Sequence, residues 1–163
     1  MPRRKMKKPL APKASPSFSA GCWRVSSRTK RNLDLAVAAS QWGARTVIGL
    51  RSLRPGDRVV FYVSKGIHSG YWGTAKVAGV PFLSHVDVWP DDLYPARIRF
   101  KLDGPLRSDP VPGKEVLARL GIRRLAHFRQ AGVIRLTPAE YRAIIELLAA
   151  GGTVRSIRVR YNE

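Results

Sequence analysis

The residues of this chain that could do chemistry are its tryptophans and arginines rather than its acids or histidines. Four tryptophans occur in 163 residues, at Trp23, Trp42, Trp72 and Trp89. In a domain this small the four tryptophans cannot all be core residues, and Trp42 and Trp89 flank predicted loops. Aromatic planes beside basic loops are what stacking on an unpaired or flipped base requires. The alternative is core packing, which is favoured for Trp23 and Trp72, whereas a pocket wall such as Trp42 is expected to be partly exposed.

The charge of the chain indicates a polyanionic partner. There are 30 Lys+Arg against 11 Asp+Glu, which gives a net charge of +19 and a pI of about 11.3. Such a charge disfavours the compact state by self-repulsion, and the guanidinium of arginine suits bidentate contact with phosphate. An anionic membrane surface is the alternative partner, but no convincing basic amphipathic helix occurs. We therefore expect nucleic acid, and no membrane.

The basic residues predicted to contact phosphate fall in four segments. They are Arg3, Arg4 and Lys5 near the N-terminus, Arg28, Lys30 and Arg31 after the first strand, Arg97 and Arg99 on a later strand, and Arg123, Arg124 and Arg129 in segment 122–130. Residues 1–21 are rich in Lys, Arg and Pro, contain no acid, and cannot bury enough apolar surface to fold alone. We predict a disordered or partner-ordered basic arm, either a solvated tail or a segment that becomes ordered along phosphate.

Catalytic and metal-binding chemistry has little support. No glycine-rich phosphate loop occurs, and the histidines show no ligand spacing; they are His68, His85 and His127. Asp91 and Asp92 form the only acidic pair, and between Pro90 and Pro95 they favour turn chemistry over a metal site. We expect no catalytic residue, no metal and no cofactor.

The single cysteine, Cys22, excludes a disulfide within one chain and a zinc site built of cysteines. A reducing, cytoplasmic location is therefore predicted. The basic N-terminus has no apolar core segment of the kind found in secretory signals, and no apolar run approaches the roughly 20 residues of a membrane span.

The elements that must position these residues are organised around a β-hairpin. Arg54–Asp57 has the Pro-Gly pair of a type II turn, and Asp57 is interpreted as structural. Arg58–Val63 is predicted to be a buried strand, and Tyr71–Val77 is predicted to be its partner after a polar loop.

The segments before the hairpin predict one strand, one helix and a second short strand. Cys22–Ser26 is the first strand, and a helix is expected from an N-cap at Asn32 to Gln41. Trp42 would then lie in the connection, outside any element. Thr46–Leu50 is a candidate short strand.

The segments after the hairpin predict two strands and two helices. Arg97–Leu102 alternates basic and apolar residues, which indicates a strand with one wet, cationic face. A short helix over 114–120 and a short strand over 132–136 follow. Thr137 and Glu140 form a capping box at the start of the last helix, which is predicted to end at Gly151. Residues 153–163 are either an edge strand or a second basic arm.

In their order along the chain, these segments resemble the PUA-like superfamily. The similarity is carried by the strand ending in Ser26, the helix, Trp42, and the blocks LRPGDRVVFYVS and GYWGTAKV. The later blocks VWPDDLYPARIRF and HFRQAGVIRLTPAEYRAI are most similar to the short archaeal and bacterial form of its EVE branch, a close relative of the YTH domain. The tryptophan-rich block of the longer EVE form is not found here. The resemblance covers residues 22–150.

The resemblance implies an α+β fold, a small mixed β-barrel with packed helices, that holds a modified base in an aromatic pocket. YTH domains enclose methylated adenine of RNA, and EVE domains are thought to read modified bases in DNA or RNA. By position, Trp42 is one implied wall, and Trp89 is the second, with Phe82 as its rival. Ser26 and Asn32 are implied contacts to the base edge. The remaining implied lining residues are Tyr62 and Tyr71.

The interpretation that combines these observations is a non-enzymatic nucleic-acid-binding domain over residues 22–150, with basic segments 1–21 and 151–163 on either side. RNA is favoured over DNA, and we expect a monomer within a larger complex. One alternative is a ribosomal or ribosome-associated structural protein that binds rRNA without reading a base. The other is a modification-dependent nuclease or a related PUA-like enzyme.

Overall fold

The described part of the chain, residues 19–123 and 132–150 of a computed structural model, contains seven strands and three α-helices. The strands are β1 (Cys22–Ser27), β2 (Gln41–Ala44), β3 (Arg58–Val63), β4 (Gly70–Val77), β5 (Phe82–Leu83), β6 (Ala96–Leu102) and β7 (Val133–Arg135). The helices are α1 (Lys30–Ala39), α2 (Gly113–Leu120) and α3 (Pro138–Ala150).

The predicted hairpin is the β3–β4 pair. Gly56 adopts a φ of 88°, and the backbone N–H of Asp57 donates to the carbonyl of Arg54 at 3.0 Å, which closes the turn before β3. The Asp57 carboxylate, 3% exposed, accepts from Gly21 N–H, Trp23 Nε1 and Arg54 N–H at 2.8, 2.9 and 3.0 Å. Asp57 is therefore structural, as predicted.

All seven strands belong to one curled, mixed sheet. The strand order is β2-β6-β4-β3-β1-β7, and β5 also pairs with β6. β1 runs parallel to β3, whereas the other pairs are antiparallel. β6 pairs with β4 through its last three residues and with β2 through its first four, so it bends the sheet towards a half-barrel. This confirms the predicted α+β class of a small mixed β-barrel with packed helices, which is here a curled half-barrel.

Both faces of the central strands are buried, which explains why β3 is an uninterrupted apolar run. Val59, Phe61 and Val63 face a core that includes α1, whereas Val60 and Tyr62 face a second core beneath α2 and α3. The first core contains all four tryptophans, each 8% exposed or less, so the expectation that they could not all be core residues was wrong. The site therefore has to be sought among buried aromatic side chains.

Three details of the segment between β1 and β3 differ from the prediction. Thr29, not Asn32, is the N-cap of α1: its side chain accepts from Asn32 N–H at 3.2 Å. Trp42 lies within β2, where it pairs with Ile98, because β6 supplies a partner strand that the local sequence does not reveal. Residues Val47–Gly49 form one 3-10 turn instead of a strand.

Arg97 departs furthest from the prediction. It is 1% exposed and does not lie on a wet face, because the loop over residues 86–94 covers this part of β6. Its neighbour on the same face, Arg99, is exposed, as expected. Strand alternation correctly predicted that Arg97 and Arg99 share one face of β6, but the covering loop determined which of them is exposed to water.

The last helix begins as predicted. Thr137 N–H donates to Glu140 Oε2 at 2.9 Å, and Glu140 N–H donates to Thr137 Oγ1 at 3.1 Å, the reciprocal pair of a capping box. The predicted helix end at Gly151 and the tail over 153–163 lie outside the described residues, as do residues 1–18 of the predicted arm. Within the described ranges, no helix has the length and apolar character needed to cross a membrane.

Candidate functional site

A small cavity lies where β1 ends and α1 begins. Its volume is about 60 Å³, and β2 and the loop before β6 close its other sides. The lining residues are Ser26, Ser27, Arg28, Asn32, Trp42, Gly43, Trp89 and Tyr94. The structure thus brings together four of the predicted base-pocket residues, namely Ser26, Asn32, Trp42 and Trp89.

Asn32 is available to the site because Thr29 caps the helix in its place. Its side-chain amide donates to Asp91 Oδ2 at 2.8 Å, and its backbone carbonyl accepts from Trp89 Nε1 at 3.0 Å. Asn32 is 8% exposed. Through these two bonds, the first turn of α1 holds the loop that carries Trp89.

Trp42 packs in the core and also lines the cavity. Its ring stacks on Phe61 with centroids 5.8 Å apart and an interplanar angle of 30°, and only 7% of the residue is exposed. The expectation of a partly exposed pocket wall was therefore wrong. A buried strand position leaves only one edge or face of the indole for a ligand.

Gly43 leaves the space in which the Trp89 ring lies opposite Trp42. A Cβ added to Gly43 would lie 2.6 and 2.7 Å from ring atoms of Trp89 and 2.7 Å from Tyr94 Cβ. Tyr94 meets Trp89 edge-on, with centroids 5.4 Å apart. Only glycine at position 43 therefore permits these two side chains to close over β2.

Arg97 supports the same loop from behind. Its guanidinium donates to the carbonyl oxygens of Tyr94, Leu93 and Val86, with distances of 3.2 and 3.3 Å for the first two, and lies 5.3 Å from the Trp89 ring centroid. Tyr94 has a φ of 45°, in the left-handed region that non-glycine residues rarely adopt. A strained backbone conformation of this kind persists where the surrounding hydrogen bonds hold it in place, and residues with such strain are concentrated at ligand sites.

Asp91 links the loop to α1 as an ionised carboxylate. Burial alone would raise its pKa, but hydrogen bonds from Asn32 and Tyr94, at 2.8 and 2.9 Å, outweigh that effect and hold the pKa below its ordinary value. Asp92 accepts from Arg45 Nε at 2.8 Å and from Leu93 N–H. The acidic pair is thus occupied in holding the loop, and the described residues contain no cluster of three potential metal ligands.

Ser26 is the polar group of the cavity that lacks a partner. Its hydroxyl oxygen is buried and has no hydrogen-bond partner among the described residues. Leaving a buried hydroxyl without a hydrogen bond costs about 1–3 kcal/mol, so a hydroxyl of this kind usually bonds to water or to a ligand. A ligand edge that reaches this cavity would satisfy the Ser26 hydroxyl.

The cavity opens into a larger groove of about 670 Å³. The two spaces share Ser26, Arg28, Trp42, Gly43 and Tyr94. Three exposed cations line the groove, Arg28, Arg45 and Lys65, together with the exposed carboxylate of Asp91, and Arg45 is ion-paired with Asp92. An aromatic recess thus adjoins a cationic channel.

Three of the predicted pocket residues lie elsewhere. Tyr62 and Tyr71 pack against each other in the second core, with ring centroids 4.8 Å apart, because their strand positions face α2 and α3. Phe82 is on β5, beneath Arg99 at 5.2 Å, and is not part of the cavity lining. Trp89 therefore takes the position of second wall for which Phe82 was the rival.

The predicted phosphate contacts separate in a similar way. Exposed positions are found for Arg28, Arg31, Arg99 and Arg123. Lys30 forms an ion pair with Asp34, and its ammonium lies 4.5 Å from the Trp72 ring centroid. Buried Arg97 is a loop support, which corrects its assignment to phosphate. The others lie outside the described residues: Arg3, Arg4, Lys5, Arg124 and Arg129.

Sequence reasoning missed several residues of the site. Gly43 and Tyr94 shape the cavity, and Arg45 and Lys65 line the groove. The glycine directly after a candidate pocket tryptophan was a usable signal of close approach. No local signal marked the others, because their roles depend on strand pairing far along the chain.

Comparisons with known proteins bear on the fold. No protein-family model and no curated protein matches the chain. Among solved structures, a hypothetical protein from Leishmania major is 20% identical with a TM-score of 0.62, over 80% of this chain and 96% of that one. Human THYN1, in complex with DNA that contains 5-methylcytosine, is 16% identical with a TM-score of 0.56, over 78% and 97%. The Mmi1 YTH domain is 12% identical with a TM-score of 0.59, over 80% and 96%.

These likenesses show the fold. The chain covers nearly the whole of each neighbour while sharing a fifth of its sequence or less, so architecture is retained where sequence is not. The similarity to a YTH domain and to THYN1 agrees with the curled sheet and three helices described above. The described residues share their fold with the Mmi1 YTH domain and with human THYN1.

Proposed function

We propose that this chain binds nucleic acid, RNA in preference to DNA, and holds one unpaired or flipped base against Trp42 and Trp89. The observation that carries the proposal is the unpartnered Ser26 hydroxyl in a cavity lined by both indoles, opening into a groove of exposed cations. Aromatic surface for stacking beside cations for phosphate is the combination that single-stranded sites use. The solved neighbours support it, since human THYN1 was crystallised with DNA that contains 5-methylcytosine.

The size of the cavity limits what enters it. About 60 Å³ suffices for a few water molecules. We infer that one edge of a base, or an exocyclic group on it, enters the recess, while the remainder of the base and its sugar lie in the groove. The Ser26 hydroxyl, as donor or acceptor, would contact that edge.

The preference for RNA rests on the basic segments. Residues 1–33 contain no acid, and Arg-Lys-Pro arms on a small domain are typical of proteins within ribonucleoproteins. The second candidate function is accordingly a structural rRNA-binding protein that reads no base. The small cavity and the 7% exposure of Trp42 favour that candidate.

A single substitution separates the two candidates. Ser26→Ala removes one hydrogen bond worth about 0.5–1.5 kcal/mol, so affinity for the preferred oligonucleotide should fall roughly 2- to 12-fold. Titrations would use RNA and DNA octamers that carry adenine, N6-methyladenine, cytosine or 5-methylcytosine at one central position. Ser108→Ala, the same change in an exposed loop, is the matched control.

Loss of discrimination among these octamers in Ser26→Ala, but not in the control, would support base reading. Equal binding of all octamers by the wild-type protein would establish the structural candidate instead.

We also propose that the chain is not an enzyme. Asp91 and Asp92, in the loop beside the cavity, accept hydrogen bonds that hold this loop, which accounts for the acidic pair without a catalytic role. RNA and DNA incubated with the pure protein and Mg²⁺ or Mn²⁺ should remain intact. Cleavage that is lost in Asp91→Ala would contradict this.

A further inference from the structure

A second cationic groove lies at the opposite end of β1. Its volume is about 660 Å³, and its lining includes Trp23 together with three arginines. The arginines are Arg51, Arg54 and Arg135, all of them exposed. This groove is separate from the aromatic cavity and shares no lining residue with it.

The one acid in this groove does not offset its positive charge at the surface. Asp57 is 3% exposed, and its carboxylate accepts three hydrogen bonds from the protein itself. Arg135 lies 5.5 Å from the Trp23 ring centroid, which holds its guanidinium at the groove. An anion entering the groove therefore meets guanidinium groups while the carboxylate is already engaged.

The two grooves have the same two walls. Residues 44–54 form one wall: the groove next to the cavity has Ala44, Arg45, Thr46 and Gly49, and the second groove has Arg51, Ser52 and Arg54. On the other wall, Ser26 of β1 and Val133 of β7 line the groove next to the cavity, and Trp23 of β1 and Arg135 of β7, which pair with each other, line the second groove. Val133 and Arg135 lie two residues apart on the edge strand and so face the same side.

We propose that the two grooves are the ends of one trough that carries the phosphodiester backbone of a single strand away from the base cavity. This proposal rests on the proposed function and adds to it the path that the strand takes from the cavity and the number of nucleotides that it places in the trough. From Trp23 to Arg28, five residues of extended chain span about 16 Å, or roughly five nucleotides at the stacked rise of 3.4 Å. The trough thus accommodates about five nucleotides, with Arg51 and Arg135 at the far end.

A nucleic-acid strand fits this trough better than an acidic protein segment does. The near end is continuous with a recess lined by Trp42 and Trp89, and the ring of a base can stack on these indoles whereas an acidic side chain cannot. The far end includes Ser19, and the sequence that precedes Ser19 contains lysines and arginines but no acid.

The test is the salt dependence of binding, measured with the full chain and fluorescein-labelled oligouridine of twelve and three nucleotides. Each lost contact to single-stranded phosphate lowers the slope of log affinity against log salt by about 0.7. Arg51→Gln/Arg135→Gln should therefore reduce the slope for the dodecamer by about 1.4 and leave the trimer unaffected. Arg142→Gln/Lys114→Gln is the matched control, since it removes the same charge from exposed positions on α3 and α2.

The outcomes distinguish this proposal from the one on which it rests. A slope change confined to Arg51→Gln/Arg135→Gln and to the dodecamer supports the trough, even if Ser26→Ala shows that no base is read. Equal slope changes in the variant and the control, or none in either, would overturn it and leave any base preference intact. Thermal melting of each variant checks that it is folded.

Discussion

Two aromatic clusters lie on opposite faces of the same sheet, and they differ in what surrounds them. Trp42 and Trp89 line a void with an unpartnered hydroxyl, beside exposed cations. Tyr62 and Tyr71 face α2 and α3 and fill their space, and burial raises the pKa of Tyr71 to about 12 despite nearby Arg24. Aromatic content alone therefore does not mark a site. Among the described residues, a buried hydroxyl without a hydrogen-bond partner occurs in both clusters, at Ser26 and at Tyr71. The distinguishing features are the glycine that admits a second ring and the adjoining groove with exposed cations.

The largest expected effect comes from truncating one ring in each cluster. Trp42→Ala and Tyr71→Ala each remove a buried aromatic side chain, so each should lower the free energy of unfolding by about 3–5 kcal/mol. Chemical denaturation measures this. Titration of the remaining folded protein, well below its midpoint, should show a loss of about 5- to 150-fold in oligonucleotide affinity for Trp42→Ala only. Equal affinity losses in both variants would remove the distinction between the clusters.

An intermediate loss of stability and of binding is expected when a methyl group is added beside the cavity. Gly43→Ala places a methyl group within 2.7 Å of Trp89 and Tyr94, and overpacking of this kind costs about 1–3 kcal/mol. The variant should also lose base discrimination, because Trp89 has to move. Gly79→Ala is the control, since its added Cβ meets nothing within 4 Å. Unchanged stability and binding in Gly43→Ala would show that the recess is not closed by this contact.

The smallest expected effect concerns the link between α1 and the loop. The pKa of Asp91 is lowered in the folded protein, so its contribution to stability is present above its ordinary pKa of 3.8 and is lost as the pH falls through the folded value. Thermal melting at pH 7 should therefore show a lower free energy of unfolding for Asp91→Asn than for the wild type. The difference should be less than about 1 kcal/mol because the carboxylate is exposed. The difference should shrink as the pH falls below 3.8 and vanish once the carboxylate is protonated in the folded protein. A difference that persists there would assign the effect to packing.

Much of the fold followed from local pattern. The turn at Gly56, the β3–β4 hairpin, β6 and the capping box at Thr137 were all predicted, because each depends on residues close together in sequence. The candidate pocket residues Ser26, Asn32, Trp42 and Trp89 came from a resemblance, and the structure gathers all four around one cavity. Tyr62, Tyr71 and Phe82 did not join them.

What only the tertiary structure decided is which side chains are left for a ligand. Charge, strand alternation and caps are properties of neighbouring residues, so the sequence by itself determined a basic α+β chain with these elements. The strand position of Trp42 and the closeness of Gly43 to Trp89 each depend on segments about 45 to 55 residues apart in the chain, and the burial of Arg97 depends on how the loop over residues 86–94 folds over β6. Such contacts follow from the pairing of β2 with β6 and from the loop folded over them, which no local pattern encodes.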